Sequence, residues 1–423
     1  ASHPVRDAYA ICPEQLPIGR LAQGIDHVDL LCAAAPRPQL YMAGRDDEVY
    51  EPNFTQAVCN TLERVYAAVG AGGRFEHFVG ACGHDYTTEM ARLLVRFVDR
   101  HLLDEPDREH DAAFDEDPPV LPAEAMRCMP AAEPNTRTIT AGVAASLSRA
   151  RRRMTGRADA ARAVRAVVPG LDALAQPQVS RVSRARACCS EVEQLLFEHE
   201  RDIALPATAL WPCKPGPWPM VVMFDDRGRW QAMHRAGWLA RTSRHLDREN
   251  PAPAVLSVDL RGWGDTTPTH TPYDLAGWAG IDRWPSYISA SLADGMLAQR
   301  VRDAVVCTRW MLEQNDIDAG RVVLAGHGLG ALVALMTAAM VEQTAGVVCV
   351  DAPASIESIV AAERYGWTQD VFMPNVLAHL DVEPLAEAVG PVVFVRPRDA
   401  MGNPLRDEGD DGIPAWIWGR LGI

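Results

Sequence analysis

The chain has 423 residues, too many for one ordinary hydrophobic core, so two domains are expected. It is 48% hydrophobic and 23% charged, as a globular protein is, and its formal net charge of −15 argues against a nucleic-acid partner because nothing offsets phosphate repulsion. No apolar run reaches the roughly 18 residues needed to span a bilayer, so no membrane partner is expected.

The start, Ala1-Ser2-His3-Pro4-Val5-Arg6-Asp7, lacks the charged and apolar regions of a signal peptide and lacks Met, which reads as a processed, trimmed or partial chain. In residues 1–103 the apolar run Gln39 to Ala43 predicts a strand ending at Gly44. Asn53 to Val69 has helical periodicity, with Phe54, Val58, Leu62, Val65 and Tyr66 on one face. Phe75 to Val79 predicts a second strand. Thr88 to Leu103 predicts an amphipathic helix with Met90, Leu93, Leu94, Phe97, Val98 and Leu102 inward.

Residues 104–185 differ in composition. Asp104 to Pro122 is acidic and proline-rich and reads as a linker. Ala141 to Val168 is rich in Ala and Arg and predicts helix, with too little large apolar content for a core, so it is expected to pack between the flanking units. The short basic run Arg149, Arg151 to Arg153 reads as a solvated helix face.

Residues 186–423 read as a second unit. Val192 to Leu210 suggests two antiparallel strands around Asp202. Met220–Phe224, Ala254–Val258, Val322–Ala325, Val347–Val350 and Val392–Val395 are continuous apolar runs, separated by helical segments such as Leu297 to Gln314 and Ala331 to Gln343. Strands buried on both faces and alternating with helices predict an α/β fold with a doubly wound, mostly parallel sheet. The 10 cysteines show no metal-ligand spacing, so no metal or cofactor is assigned; Cys188-Cys189 is a vicinal pair, and most others sit in apolar contexts as small core residues.

Three turns of the second unit have the chemistry of a hydrolase frame. Asp259-Leu-Arg261-Gly262-Trp263-Gly264 follows a buried strand, Gly326-His327-Gly328-Leu329-Gly330 joins a strand to a helix, and Asp399 follows the late strand. In the α/β-hydrolase order of nucleophile, acid and histidine, Gly328 stands where G-x-S-x-G places the serine. Glycine has no hydroxyl. The last histidine is His379, so none follows Asp399, and a nucleophile without a base in reach is not activated. This unit reads as a catalytically dead hydrolase fold. Its even glycine spacing fits neither G-x-G-x-x-G nor a P-loop, and the glycines allow a tight turn and close helix packing.

The first unit holds the complementary parts. Gly44-Arg45-Asp46-Asp47 follows a strand and Gly83-His84 follows the next one, with His84 37 positions after Asp47. Asp47 is expected to orient the imidazolium and His84 to act as general base. Asp47 is preferred to Asp46 for its place after Gly44; the plain alternative is that the two aspartates cap the following helix and His84 is a loop residue. No G-x-S-x-G occurs, and Ser2 is the only serine before Asp47.

At these residues the chain resembles the acetylxylan esterase and related carbohydrate-esterase group of α/β-hydrolases, including the glucuronoyl-esterase-like branch. The stretches are Ile11-Cys-Pro-Glu-Gln-Leu-Pro17, Asp29 to Pro38 with its Ala35-Pro36-Arg37-Pro38, Gly44 to Asp47, Tyr66 to Gly70, and Gly83-His84. The resemblance implies that residues 1–103 are the C-terminal part of a hydrolase catalytic domain, with Asp47 and His84 as its acid and base. Residues 186–423 resemble the degenerate second module of tandem hydrolases in that group, through Asp259 to Thr266, Gly326 to Gly330 and Pro397 to Pro404.

Two functions follow from the resemblance. One is a part of a serine carboxylic-ester hydrolase acting on an esterified plant polysaccharide or small ester, its nucleophile supplied by a companion polypeptide or a segment outside this sequence. This chain alone is then inactive, and by analogy the protein is secreted or periplasmic. The other is a pseudo-hydrolase serving as scaffold or glycan-binding module, with Trp263, Trp278 and Trp284 as stacking candidates beside the plainer reading of core packing. A permuted arrangement, with His84 docked beside residue 328, would let Gly328→Ser gain esterase activity.

Overall fold

The computed structural model describes residues 17–48, 50, 52–106, 108, 121–126, 135–187, 190–234, 237–243, 252–269 and 281–423. Ile11 to Leu16, Cys188-Cys189, Trp278 and most of the acidic linker lie outside the described residues. The chain divides into two compact units. The first comprises residues 1–132, 271–278 and 287–293, and the second the remainder.

In the first unit, helix α1 (His27–Cys32) begins at a capping box in which the Asp26 and Asp29 carboxylates accept from each other's end of the turn. Strand β1 (Gln39–Gly44) pairs in parallel with β2 (Phe75–Gly80), Gln39 opposite Phe75 through Gly44 opposite Gly80. The crossover is helix α2 (Pro52–Ala68). Its buried residues Thr55, Val58, Cys59, Leu62 and Tyr66 recur at helical spacing and close on Tyr41, Ala43 and Phe75. Tyr66 Oη donates to the Arg37 carbonyl at 2.6 Å, which satisfies the one polar atom of this buried ring. Helix α3 (Thr88–Val98) is capped by Thr87 and runs on through a short π-turn to Leu103. Only Met90 of its expected inward face is fully buried; Leu94 and Leu102 are exposed.

The second compact unit includes described residues ahead of position 186. Helices α4 (Thr136–Ala150) and α5 (Arg157–Val167) belong to its core, where Ala160, Ala163, Val164 and Val167 are buried. Alanine faces contribute little area each but let helices approach closely, so a segment poor in large apolar residues still becomes core. The strands are β3 (Gln178–Ala187), β4 (Ser190–Glu200), β5 (Ile203–Pro212), β6 (Trp218–Asp225), β7 (Ala254–Val258), β8 (Ile317–His327), β9 (Thr344–Val350) and β10 (Val392–Val395). They form one sheet in the order β10-β9-β8-β6-β7-β5-β4-β3. Pairing is parallel from β10 to β7 and antiparallel from β7 to β3, so the sheet is mixed and mostly parallel at its centre. The β4–β5 hairpin turns at Asp202, whose φ is +62°. Strand β3 was not foreseen: it is an edge strand whose Ser and Arg residues face solvent, a pattern that resists edge-to-edge pairing.

Helices α6 (Met296–Leu312) and α7 (Leu329–Met340) pack on this sheet, and every residue of α7 is buried. Helix α8 (Val382–Val389) precedes β10. Arg157 ties these pieces together: its guanidinium donates to the carbonyls of Ala338, Val341, Glu342, Thr344 and Val389 at 2.5–3.2 Å. It thereby satisfies carbonyls that the end of α7 leaves unpaired.

Candidate functional site

In the first unit the turns after β1 and β2 touch backbone to backbone. The amides of Arg45 and Asp46 donate to the carbonyls of Gly80 and Cys82 at 2.7 and 2.9 Å. A Cβ at Gly44 would lie 2.6 Å from the Cys82 carbonyl oxygen, so only glycine permits this approach. The contact brings Asp47 and His84 together: Asp47 Oδ2 lies 3.1 Å from His84 Nδ1. The Asp47 carboxylate is buried while the imidazole is 57% exposed. Asp47 Oδ1 accepts the Tyr50 amide at 2.9 Å, and the Tyr50 ring stacks on the imidazole with centroids 5.5 Å apart. Asp46 instead points to solvent and pairs with Arg45 at 3.2 Å. The aspartate at the third position after Gly44 is thus the one that meets the histidine. Asp47 also receives the amide three residues on, a bond within the turn ahead of α2 and not a cap of that helix. Tyr50 was not singled out in the sequence; nothing marks it there except its place three residues after the acid.

In the second unit β8 runs into α7 through Gly328, whose φ of +56° and ψ of −125° retain the strained turn of an elbow. The space beside Gly328 is filled by Asp226, at the end of β6. A Cβ at 328 would overlap Asp226 Oδ2 and lie 2.7 Å from Oδ1. Asp226 Oδ2 accepts the Leu329 amide at 3.0 Å, and Oδ1 accepts from His327 Nδ1 at 2.9 Å. His327 Nε2 donates to Asp351 Oδ2 at 3.2 Å, and Asp225 stands 3.6 Å from Nδ1. Burial alone would lower the pKa of His327, but hydrogen bonds to Asp226 and Asp351, with the charges of Asp225 and Asp226, push it up to about 9. Asp351 is itself held well below the ordinary carboxylate range: burial opposes this, and its bonds to His327 and Arg396 outweigh it. Arg396 and Arg398 both bind Asp351, and Arg227 binds both oxygens of Asp225. The turn that supplies a nucleophile in a working elbow is here the centre of an ion-pair network.

Asp225, Asp226 and His327 present ligand atoms within 4.8 Å of one another. Both His327 nitrogens donate to carboxylates and Arg227 covers Asp225, so this donor set is engaged internally. Asp226, Asp351 and the two arginines of the β10 turn escaped sequence reading; the one available signal was a pair of aspartates ending a fully apolar strand.

The remaining turn residues are structural. Asp259 is fully buried and accepts from the Arg229 amide and guanidinium and from the Asp265 amide. Arg261 is clamped by Asp303, Glu200 and Gln299. Trp263 is 4% exposed, with the Arg300 guanidinium 4.2 Å above its ring, and Arg300 in turn pairs with buried Asp370. Trp263 is therefore core and offers no face to a sugar; Trp284 is half-buried. Asp399 accepts the amides of Met401 and Asn403 at 2.9 and 2.8 Å, folding its own loop. Beside Arg261 and Arg300, with Asp282, Thr266 and Ser286, lies a cavity of about 290 Å³.

Residues 228–420, just under half of the chain, match the family model described as the alpha/beta hydrolase family. No curated protein matches the chain. Among solved structures it is similar to a Bacteroides fragilis protein assigned provisionally as an acetyl xylan esterase, at 14% identity over 60% of this chain and 74% of that one, with a TM-score of 0.49. It is also similar to acetyl xylan esterase 1 from Thermoanaerobacterium, at 17% identity over 59% and 81%, with a TM-score of 0.40. An acetyl xylan esterase from Paenibacillus gives 14% identity over 65% and 98%, with a TM-score of 0.41. With its mixed, mostly parallel central sheet, its flanking helices and a glycine at the elbow, the second unit has the α/β-hydrolase fold.

Proposed function

We propose that this chain is part of a serine carboxylic-ester hydrolase acting on an esterified polysaccharide, with Asp47 and His84 as its acid and base and the serine supplied by a segment outside this sequence. The carrying observation is the hydrogen bond from an exposed imidazole to a buried carboxylate. Asp47 occupies Nδ1 and so leaves Nε2 as the ring's working nitrogen. In this reading Nε2 takes the proton from the serine hydroxyl as the oxygen attacks the ester carbonyl. The carboxylate stabilises the imidazolium, backbone amides hold the oxyanion, and the proton passes to the departing alkoxide. Water then repeats the sequence on the acyl-enzyme. The polysaccharide substrate rests on the resemblance carried by Ala35-Pro36-Arg37-Pro38 and the acid and histidine turns.

The test is a fluorophosphonate serine probe followed by intact mass spectrometry of every polypeptide in a preparation from the native source. An adduct on a companion carrying G-x-S-x-G, abolished by His84→Ala, supports the reading. Absence of any adduct in a preparation that hydrolyses esters overturns it.

A second reading is favoured by the second unit alone. Asp226 stands in the nucleophile's place, so this unit serves as a scaffold or glycan-binding module. Affinity electrophoresis in xylan gels tests glycan binding, and unaltered migration removes that role.

A further inference from the structure

The elbow of the second unit is more than a turn that lost its serine. Three features converge on one carboxylate. Asp226 Oδ2 takes the amide of Leu329, the residue after the nucleophile position, which in a working elbow donates to the oxyanion. Asp226 Oδ1 takes the imidazole of the preceding residue, His327. The body of the carboxylate fills the volume that any side chain at 328 needs. The acid lies on a neighbouring strand end, about 100 residues away in sequence, so this is a tertiary arrangement and not a local cap.

We infer that Asp226 is the resident ligand of a retained oxyanion site, a built-in carboxylate that closes the elbow sterically and by hydrogen bonding, so that the site accepts a small external carboxylate once residue 226 is shortened. The inference is independent of the roles proposed for Asp47 and His84. It implies that serine at 328 alone is insufficient: the hydroxyl-bearing carbon would collide with Asp226 before meeting any substrate. Restoring a side chain at 328 therefore requires a second change at 226.

The groups facing His327 and Asp226 set the electrostatics. Asp225, Asp226 and Asp351 are balanced by His327, Arg227, Arg396 and Arg398. Asp226→Ala leaves the His327 and Leu329 donors facing a hole shaped for a carboxylate. Formate fits that hole and carries the lost charge.

The experiment compares thermal unfolding of the native chain and Asp226→Ala in sodium formate and in sodium chloride at equal ionic strength. The variant is expected to lose about 5 °C or more at pH 7 and to regain at least half of it in formate. The native midpoint is expected to be the same in the two salts. Equal midpoints of the variant in both salts overturn the carboxylate site. A mutant cycle tests the steric part without needing Asp226→Ala to be well folded. Gly328→Ala is expected to lower the unfolding midpoint by more in the native chain than in the Asp226→Gly background, because backbone strain at 328 is common to both comparisons and the collision is present only in the first. Equal losses in the two backgrounds overturn the closure by Asp226.

Discussion

Asp47 Oδ2 and His84 Nδ1 lie 3.1 Å apart, with the carboxylate buried and the imidazole open to solvent. The arrangement fixes which nitrogen keeps its proton in the neutral ring. By ¹⁵N-detected NMR of this chain, neutral His84 is expected to be the Nδ1–H tautomer, and Asp47→Asn to redistribute it toward Nε2–H. Asp46→Asn, whose carboxylate pairs with Arg45 at the surface, is expected to change nothing. In the complemented hydrolase, Asp47→Asn is expected to lower kcat by on the order of 10⁴-fold and His84→Ala by on the order of 10⁶-fold, the losses seen when a triad acid and a triad histidine are removed.

Gly44 holds the two turns in contact. Gly44→Ala puts a methyl group against the carbonyls of Gly83 and Cys82, so either the strand pair or the histidine turn must shift. A loss of at least about 2 kcal/mol is expected for the first unit, as for other overpacked sites. Loss of the His84 tautomer preference in the same variant is the finer readout.

His327 makes stability depend on pH. Its folded pKa of about 9 lies above the ordinary value of 6.5, so its contribution is fully present below pH 6.5 and disappears as pH rises through 9. The shift corresponds to roughly 3 kcal/mol at most. Urea unfolding between pH 6 and 10 is expected to show this decline, and His327→Gln is expected to flatten it. Asp351 acts in the opposite window: its depressed pKa contributes stability above the ordinary aspartate range and loses it as pH falls.

Arg157 clamps five carbonyls, and burial lowers its pKa without removing its charge. A lysine has three donors on one atom and cannot span them. Arg157→Lys is expected to cost about 2–4 kcal/mol and Arg157→Ala as much or more, by chemical unfolding of the second unit.

Trp263 separates packing from sugar binding. Because its ring is buried under Arg300, Trp263→Phe is expected to lower the unfolding midpoint by a few degrees and to leave migration in xylan gels unchanged.

The sequence by itself determined the parts of this protein whose signals are local. Continuous apolar runs marked β6 to β10 because strands buried on both faces have no polar period to keep. Helical spacing marked the α2 face, and Gly44 with Asp47 and His84 marked two turns that end successive parallel strands. Glycine at 328 removed the nucleophile without any structure. What only the tertiary structure decided are the relationships that depend on neighbours distant in sequence. Alanine-rich α5 became core because small side chains permit close packing on α7. Strand β3 formed because β4 offered it an edge, although its own residues, rich in Ser and Arg, keep no regular alternation of polar and apolar. Trp263 was withdrawn from solvent by Arg300, and Asp226 entered the elbow because β6 and β8 are adjacent in the sheet. A carboxylate's role is set by the donors that surround it, and those of Asp226 come from the end of β8, about 100 residues away in sequence.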